Sequence, residues 1–572
     1  MKKTLVFSAH YAKRIAEKKI MINKTRRGLQ AFLSIVFLII TFNPAVEAKP
    51  RCCEKQVKNV ILLIADGTGV AHFTLSRWYN GGAPLAMDEW TCGLVRTYGA
   101  NIPLTDSAPA ATAFATGFKS FTGFVGVLPI VAPMWGIDHQ SGTDPESRPL
   151  VTVLEAARLA GKATGIAVTC EIPHATPAAF SAHYIRRNNY ETIIEQQVYN
   201  EIDVVLAGGA MYLKPQNRKD GEDLTAVLRQ KGYQLVRTRK EMLGALPGRV
   251  WGLFSEQDIA CDLDRSAAEP SLAEMTAKAI ALLRRNKKGF FLMVEGSKID
   301  WAAHDNEPVG VVSEVLAFNR AVETAIAFAR QDGDTAVIVV SDHGCGGLSI
   351  GNREENSLDE RPGLSAFVDP LQRARHTAEG VEKMLLAAAD MSADAIGTLI
   401  HREYGLELTV EELALVQGYF ANRHKDQYGL AAIIGPILSR AAHLGWTTDG
   451  HTGEDVPLAI FHPRGYRLTG VVQNTAIAWY IDEILNLKFR EWNKILYLSA
   501  PRAFAGKGAS STIEETQPGN PVLVIKKGAQ VLRLPANKNQ ADLNGRTVVL
   551  RSLIVYNGKA FFVPREALDL IK

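Results

Sequence analysis

The chain has 572 residues, too many for a single ordinary hydrophobic core, so we expect one large domain with smaller appended pieces. Apolar residues make up 47% and charged residues 22%, as in an ordinary soluble globular protein, and this composition points to no particular function. Residues 49–572 hold 55 Lys and Arg against 58 Asp and Glu, so the net charge of +4 comes from the first 48 residues and does not indicate nucleic-acid binding.

Residues 1–48 have the pattern of a secretory signal peptide. Nine Lys and Arg precede an apolar run at 31–42 that is short for a membrane span, and small residues ending at Ala48 suit signal peptidase. A start at Met21 would keep this pattern, and a retained membrane anchor is the alternative. We expect export to the periplasm, the cell envelope or the medium, where six cysteines permit disulfide bonds.

Between residues 49 and 500, short apolar runs rich in branched residues alternate with helical patterns. Runs that are apolar on both faces are typical of buried strands in a mostly parallel sheet. The alternation predicts an α/β domain with a large, mostly parallel central sheet and helices on both faces. The clearest predicted strands are 59–65, 163–169, 204–207, 289–294 and 335–341, and the clearest helices are 151–159 and 271–284.

Residues 346–445 depart from this alternation and predict a helical insertion in the main domain. Helical patterns lie at 380–390, 392–403 and 409–422, where Ser392 and Thr409 are good N-cap residues.

Residues 501–519 predict a linker, because 506–519 are rich in Gly, Ser and Thr. Residues 520–572 predict a small β-rich module, in which Asn544-Gly545 and Asn557-Gly558 indicate hairpin turns. The end of this module, 561–568, resembles the β-rich module named after the N-terminal domain of copper amine oxidases. The apolar runs in the module are 521–526, 530–534, 547–556 and 560–563.

Metal-binding residue types follow three of the predicted strands. Asp66 comes after 59–65, Glu295 after 289–294, and Asp342 with His343 after 335–341. In open α/β sheets, ligands bind outside the carboxyl ends of the strands, and mixed oxygen and nitrogen donors suit zinc. Alone, Asp66 is better explained as a turn residue that caps the next helix, and Asp342-His343-Gly344 is only moderately specific, so the prediction of a metal site rests on the number of such residues.

Two further segments supply more ligands, and a third supplies a nucleophile. Asp300 and His304 share one face if a helix follows Glu295, so they can bind one metal or form a helix ion pair. His451 lies in a Gly-rich loop and would complete a metal set. Ser107 precedes a helical run of small residues, so it is either an N-cap or a nucleophile facing a phosphate.

These segments, in this order, resemble the alkaline phosphatase family from about residue 59 to 457. The motifs Asp-Ser-Ala-Pro-Ala-Ala-Thr-Ala at 106–113 and Asp-Gly-His-Thr-Gly-Glu-Asp-Val-Pro at 449–457 are very specific for it. The resemblance implies a homodimeric phosphomonoesterase that acts on small phosphate monoesters through a phosphoserine, with two Zn²⁺ and one Mg²⁺. The implied roles are Ser107 as nucleophile, Arg187 for phosphate, Asp300, His304 and His451 for the first zinc, Asp66, Asp342 and His343 for the second, and Asp66, Thr176 and Glu295 for magnesium.

Positions near the implied site leave some questions open. His174 and Trp301 stand where the family varies, and they put the magnesium affinity and the pH optimum in question; His174 could recruit a third zinc. Cys345 is either a metal ligand or a small buried thiol. Arg186 neighbours Arg187, so the phosphate-binding role can be shifted by one residue.

Two other functions are compatible with parts of this pattern. A phosphodiesterase or sulfatase of the same superfamily is one, but Ser107, Thr176 and Glu295 favour the monoesterase. The other is an envelope-associated binding protein dominated by the terminal module, which would require a degenerate metal site. In the monoesterase interpretation, the module could still attach the enzyme to envelope polymers.

Overall fold

The computed structural model describes residues 55–136, 147–352, 362–422, 429–515 and 518–572. The predicted signal peptide, 1–48, lies outside these residues, as do Cys52 and Cys53. Within the described ranges, no helix is both long enough and apolar enough to cross a membrane. The described cysteines are free thiols rather than disulfides, and these are Cys92, Cys170, Cys261 and Cys345.

A ten-stranded sheet forms the centre of the structure and confirms the predicted α/β class. Val456–Phe461 runs antiparallel to both of its neighbours, and the other neighbouring pairs are parallel. From one edge to the other, the strands are Gly470–Gln473, Thr91–Arg96, Val456–Phe461, Thr335–Ser341, Asn59–Ala65, Phe290–Gly296, Ala163–Glu171, Val204–Gly208, Val250–Leu253 and Gln234–Val236.

Alternate residues of the central strand Asn59–Ala65 face two separate hydrophobic layers. Leu62 and Ile64 belong to one layer, and Ile61 and Leu63 belong to the other. Helices therefore cover both faces, as predicted. They are Ser107–Thr116, Val153–Leu159, Ala175–Ser181, Tyr190–Tyr199, Leu224–Gln230, Thr475–Leu485 and Phe489–Ile495 around the first layer, and Val70–Tyr79, Arg239–Gly244, Leu272–Leu283, Lys298–His304 and Pro308–Asp332 around the second.

The segment 346–445 is helical, and its described part contains more helices than the sequence pattern predicts. Ser392 and Thr409 cap two helices, because their hydroxyls accept hydrogen bonds from backbone N–H groups three residues later. The two unpredicted helices each contain a proline, Pro370 or Pro436, which interrupts the pattern in the sequence. The helices are Leu364–Gln372, Ala378–Ala387, Ala393–Tyr404, Val410–Asn422 and Ala431–Ala441.

Residues 501–519 do not form the predicted linker, because a helix and a strand occupy most of this range. Ala500–Ala505 is helical, and Ser510–Glu515 is an edge strand paired antiparallel with Pro521–Lys527. Ser510, Ser511 and Thr512 contributed to the linker pattern, and they lie in this exposed strand, where polar residues are ordinary.

The terminal module is β-rich, as predicted, and consists of two sheets. Asn544 and Gly545 have φ angles of 54° and 84°, which fit the predicted two-residue hairpin turn. The predicted strand 547–556 is wrong, because it is two strands that belong to different sheets. One sheet contains Ser510–Glu515, Pro521–Lys527, Gln530–Pro535, Gln540–Leu543 and Arg546–Val549; the other contains Leu498–Ser499, Phe561–Val563 and Val555–Tyr556, and the helix Arg565–Leu568 follows.

The terminal module shares a hydrophobic core with the main domain. Phe562 is fully buried and belongs to the same layer as residues of the central sheet. Asn557 donates a hydrogen bond to the Ser147 carbonyl, and Gln196 donates one to the Asn537 side chain at 3.0 Å. These contacts hold the module against the main domain through groups that water does not reach.

Replacing Phe562 should destabilise the whole described structure and not the terminal module alone. We expect Phe562→Ala to lower the free energy of unfolding by about 3–5 kcal/mol, because it leaves a cavity in the shared core. Urea unfolding followed by tryptophan fluorescence would measure this. Val549→Ala is the control, since Val549 is 67% exposed, and its effect should stay within about 0.5 kcal/mol. An unchanged main transition in Phe562→Ala would contradict the shared core.

Candidate active site

The site lies where four adjacent parallel strands of the central sheet end. In sheet order, these strands are Thr335–Ser341, Asn59–Ala65, Phe290–Gly296 and Ala163–Glu171. Their carboxyl ends carry Asp342, Asp66, Glu295 and Cys170, in the same order. Two of the strands run two residues further than the sequence predicts, and these extensions carry Cys170 and Glu295.

One group of donors consists of Asp66, Asp342 and His343, the residues that the resemblance assigns to the second zinc. One ligand atom of each lies within 4.8 Å of the others, and all three side chains are fully buried. His343 Nε2 is 3.4 Å from Asp342 Oδ2 and 3.6 Å from Asp66 Oδ1. Both carboxylate oxygens of Asp66 and Oδ2 of Asp342 form no hydrogen bond with any described group.

A second group brings together Asp300, His304 and His451 with the thiol of Cys345. Asp300 and His304 lie on the helix Lys298–His304, as the four-residue spacing predicts, and His304 Nε2 is 3.3 Å from Asp300 Oδ2. His304 Nε2 also lies 3.1 Å from His451 Nε2.

Backbone carbonyl groups orient the three histidines of these two groups. Nδ1 of His304 lies 2.5 Å from the Asp449 carbonyl, Nδ1 of His451 lies 2.9 Å from the Thr105 carbonyl, and Nδ1 of His343 lies 3.2 Å from the Gly344 carbonyl. Because a carbonyl oxygen only accepts, Nδ1 carries the hydrogen in each ring. Each ring therefore turns Nε2 toward the carboxylates, and Nε2 is the atom that a metal would bind, which is the usual arrangement of metal-binding histidines.

A third group contains Asp66, Thr176 and Glu295, the residues that the resemblance assigns to magnesium. The Thr176 hydroxyl and Glu295 Oε1 are buried and form no hydrogen bond with described groups. Cys170 and His174 lie beside them, and their ligand atoms are within 4.8 Å of one another and of Glu295. The sequence analysis missed Cys170, although its place at a strand end, four residues before His174, was a usable signal.

Burial and mutual repulsion make these carboxylates poor anions on their own. Burial raises the pKa of Glu295 to about 8, and the negative charge of Asp342 adds to the effect. Burial, followed by the charges of Asp342, Asp300 and Glu295, raises the pKa of Asp66 well above its ordinary value. Burial also lowers the pKa of His451 to about 3, so its ring is neutral, as a metal ligand must be. These groups fit bound cations, which would neutralise the carboxylates and use their unpaired oxygens.

Ser107 begins the helix Ser107–Thr116 and is almost fully buried beside the group of Asp66, Asp342 and His343. Its hydroxyl oxygen lies 3.4 Å from His343 Nε2. Asp106 caps the helix by accepting a hydrogen bond from the Ala108 N–H group. The serine is therefore an N-terminal helix residue, and its hydroxyl also faces predicted metal ligands.

The Arg187 guanidinium lies beside Asp106, the residue that precedes Ser107. Its Nη1 donates to Asp106 Oδ1 at 3.1 Å, and its Nη2 lies 3.1 Å from His174 Nε2. Asp106 thus holds one edge of the guanidinium, a role that the sequence analysis did not assign. Trp301 packs on His174 with the ring centroids 5.7 Å apart, so both variable positions lie beside the third group.

Comparison with known proteins identifies the family. The sequence model described as "Alkaline phosphatase" matches residues 57–487. The chain belongs to the alkaline phosphatase family. Alkaline phosphatase 4 of Bacillus subtilis is 37% identical over 445 residues, which cover 75% of this chain and 89% of that protein. The repressible alkaline phosphatase of Saccharomyces cerevisiae is 31% identical and covers 77% of this chain and 83% of its own length.

Solved structures of alkaline phosphatases share the fold. The cold-active enzyme of a Shewanella species has a TM-score of 0.64 at 31% identity, covering 75% of this chain and 99% of its own. The Thermus thermophilus enzyme has a TM-score of 0.65 at 28% identity, covering 78% and 96%. This alkaline phosphatase is thus a metal-dependent phosphoric monoester hydrolase, and all of its predicted site residues lie within the matched range.

Gly67 follows Asp66 in a conformation that leaves no room for a side chain. Its φ is +64°, and an added Cβ would lie 2.4 Å from Asp300 Oδ1. Gly81 has a similar φ of +68°, but an added Cβ there would meet no atom within 4 Å. Comparing alanine substitutions at these two glycines therefore separates the cost of backbone strain from the cost of displacing Asp300.

We expect Gly67→Ala to weaken metal binding by about 10–100-fold, because it displaces a predicted ligand. Gly81→Ala should cost about 1–2 kcal/mol of stability from the left-handed conformation alone and keep the metal affinity. Equilibrium dialysis with zinc, together with thermal unfolding, measures both effects. Equal metal affinity in the two variants would contradict the close contact with Asp300.

Proposed function

We propose that this chain hydrolyses small phosphate monoesters through a phosphoserine formed on Ser107, using two Zn²⁺ and a third divalent cation that the resemblance assigns to Mg²⁺. One observation carries the proposal. The Ser107 hydroxyl, the Arg187 guanidinium and the buried donor groups face one another, although they come from distant parts of the sequence. The phosphatase activity itself follows from the family.

The donor sets support the choice of metals. Asp300, His304 and His451 form one set with carboxylate and imidazole donors, and Asp66, Asp342 and His343 form another, both of a kind that suits zinc. When bound, the two zinc ions would favour the Ser107 alkoxide and neutralise the leaving oxygen. Asp66, Thr176 and Glu295 offer oxygen donors to the third cation, which the resemblance assigns to magnesium.

The chain's own residues account for the remaining chemistry. Ser107 Oγ attacks phosphorus while the bond to the leaving oxygen breaks, which transfers the phosphoryl group to the serine. Arg187 donates two N–H groups to phosphate oxygens in a fork geometry, and Asp106 holds the guanidinium in position. The N-terminus of the helix Ser107–Thr116 adds a favourable field for the anion. Water then attacks the phosphoserine and releases inorganic phosphate.

Removal of the nucleophile should abolish turnover. We expect Ser107→Ala to lower kcat by at least about 10³-fold, because no covalent intermediate can form. Mass spectrometry after acid quenching should find one phosphoryl group on Ser107 in the wild-type chain. Ser349→Ala is the control, because Ser349 is an exposed serine outside the donor groups, and it should keep both activity and labelling. Phosphorylation elsewhere, or full activity in Ser107→Ala, would overturn the intermediate.

Substrate class is the second test of the proposal. An aryl phosphate monoester should be hydrolysed far faster than the matching diester at alkaline pH. Chelation should abolish this activity, and zinc with magnesium should restore it. A preference for the diester would support the phosphodiesterase alternative. A metal-loaded but inactive protein would support the binding-protein alternative.

Export, dimerisation and envelope contact complete the proposal. The pattern of 1–48 supports export after cleavage near Ala48, and the N-terminal residue of the purified protein tests this. The family resemblance supports a homodimer, which light scattering tests.

The exposed Ile513 and Val549 of the terminal module support contact with envelope polymers. Because Phe562 lies in the shared core, lysine substitutions at Ile513 and Val549 test that contact better than deletion of the module; unchanged envelope retention would overturn it.

A further inference from the structure

We propose that the third metal position of this chain selects Zn²⁺ over Mg²⁺, with the Cys170 thiolate and the His174 imidazole as ligands beside Glu295. The inference rests on the proposed function in one respect, namely that the site holds metal. It concerns residues outside the predicted magnesium set of Asp66, Thr176 and Glu295. The sulfur donor is the feature that carries it.

Cys170 is positioned by the sheet and not by a flexible loop. It lies near the end of the strand Ala163–Glu171, where Val168 is in register with Glu295 of the neighbouring parallel strand. The Cys170 backbone N–H group donates to the Ser297 hydroxyl at 3.3 Å, which fixes the strand end next to Glu295. The sulfur consequently lies 3.6 Å from Glu295 Oε2.

The unpaired atoms around this sulfur are those of a ligand site. His174 Nδ1, Thr176 Oγ1 and Glu295 Oε1 are buried and form no hydrogen bond with described residues. His174 is 7% exposed, and Cys170, Thr176 and Glu295 are fully buried, so none of these atoms is compensated by bulk water. The predicted magnesium set accounts for the unpaired atoms of Thr176 and Glu295 but not for His174 Nδ1, and the Cys170 sulfur contacts Glu295 Oε2 rather than apolar neighbours alone.

The donor types determine which cation these atoms favour. Magnesium takes oxygen ligands in near-octahedral geometry and gains little from sulfur or imidazole. Zinc binds thiolate, imidazole and carboxylate groups, commonly in four-coordinate sites. Cys170, His174 and Glu295 provide one of each. A set with two soft or borderline donors therefore favours zinc over magnesium.

Arg187 adds a second consequence of metal binding at His174. Its Nη2 lies 3.1 Å from His174 Nε2, and because a guanidinium only donates, Nε2 carries the lone pair and Nδ1 the hydrogen. A metal on Nδ1 moves that hydrogen to Nε2, where it opposes the Arg187 N–H group. Metal binding therefore releases one edge of Arg187, while Asp106 still holds the other.

Cobalt substitution tests the sulfur ligand directly, because thiolate bound to Co²⁺ gives a charge-transfer absorption band in the near ultraviolet. The experiment uses the full-length apoprotein loaded with Co²⁺, as wild type, Cys170→Ser and Cys345→Ser. Cys345 is the matched control, since it is the buried thiol of the other donor group. We expect the band in the wild type and in Cys345→Ser, and its loss in Cys170→Ser.

Metal content gives an independent measurement. Apoprotein equilibrated with zinc and excess magnesium, and then analysed by plasma mass spectrometry, should hold three zinc ions per chain in the wild type. Cys170→Ser should lose the third zinc and take up magnesium in its place. A wild type that holds two zinc ions and one magnesium, or a band that Cys170→Ser leaves intact, would overturn the inference. Loss of the band in Cys345→Ser alone would assign the thiolate to the other group and also overturn it.

Two precautions keep the outcomes separate. If Cys170→Ser does not fold, zinc X-ray absorption of Cys345→Ser answers the same question, because Cys170 is then the one thiol left among the described donor groups. Absence of a sulfur shell there would overturn the inference. Ser107→Ala, loaded with cobalt, should keep the band although it is inactive. Failure of the phosphoserine mechanism and failure of the Cys170 ligand are thus distinguishable.

Discussion

Burial of several carboxylates at one edge of the central sheet is the constraint on which the rest of the site depends. Asp66, Glu295, Asp300 and Asp342 lie within one enclosed region, and each is less than a tenth exposed. Desolvation and mutual repulsion make such a cluster costly unless cations balance it. The parallel sheet forces the arrangement, because adjacent strands end side by side and deliver their next residues to the same place.

Other features of the site keep these groups in position. Gly67 passes close to Asp300 because it has no side chain, and the Gly67 N–H group donates to Asp342 Oδ1 at 3.1 Å. Carbonyl groups fix the rings of the three histidines through Nδ1. The ligand atoms are therefore oriented before any cation arrives, which reduces the ordering that binding must impose.

Much of this arrangement was predictable from the sequence because it follows from local patterns. Buried parallel strands are continuous apolar runs, so the strand ends and the residues after them could be located, including Asp66 and Asp342. Cys170 was not singled out, although it lies four residues before His174, because a thiol in an apolar run is more often a core residue. Asp106 was missed as a partner of Arg187 because their contact joins segments that are 81 residues apart. The helices around Pro370 and Pro436, and the edge strand Ser510–Glu515, were missed because tertiary packing overrides their local propensities.

The hydrophobic layer that contains Phe562 also bears on how this chain can be divided. The family match ends at residue 487, yet side chains beyond that point complete the core beneath the sheet. The end of the family match is therefore not the boundary of an independently folding unit. A gene fragment cut at the family boundary would encode every donor group of the site and still lack part of the interior that supports them. Fusion partners should accordingly not be joined at the end of the recognisable family segment.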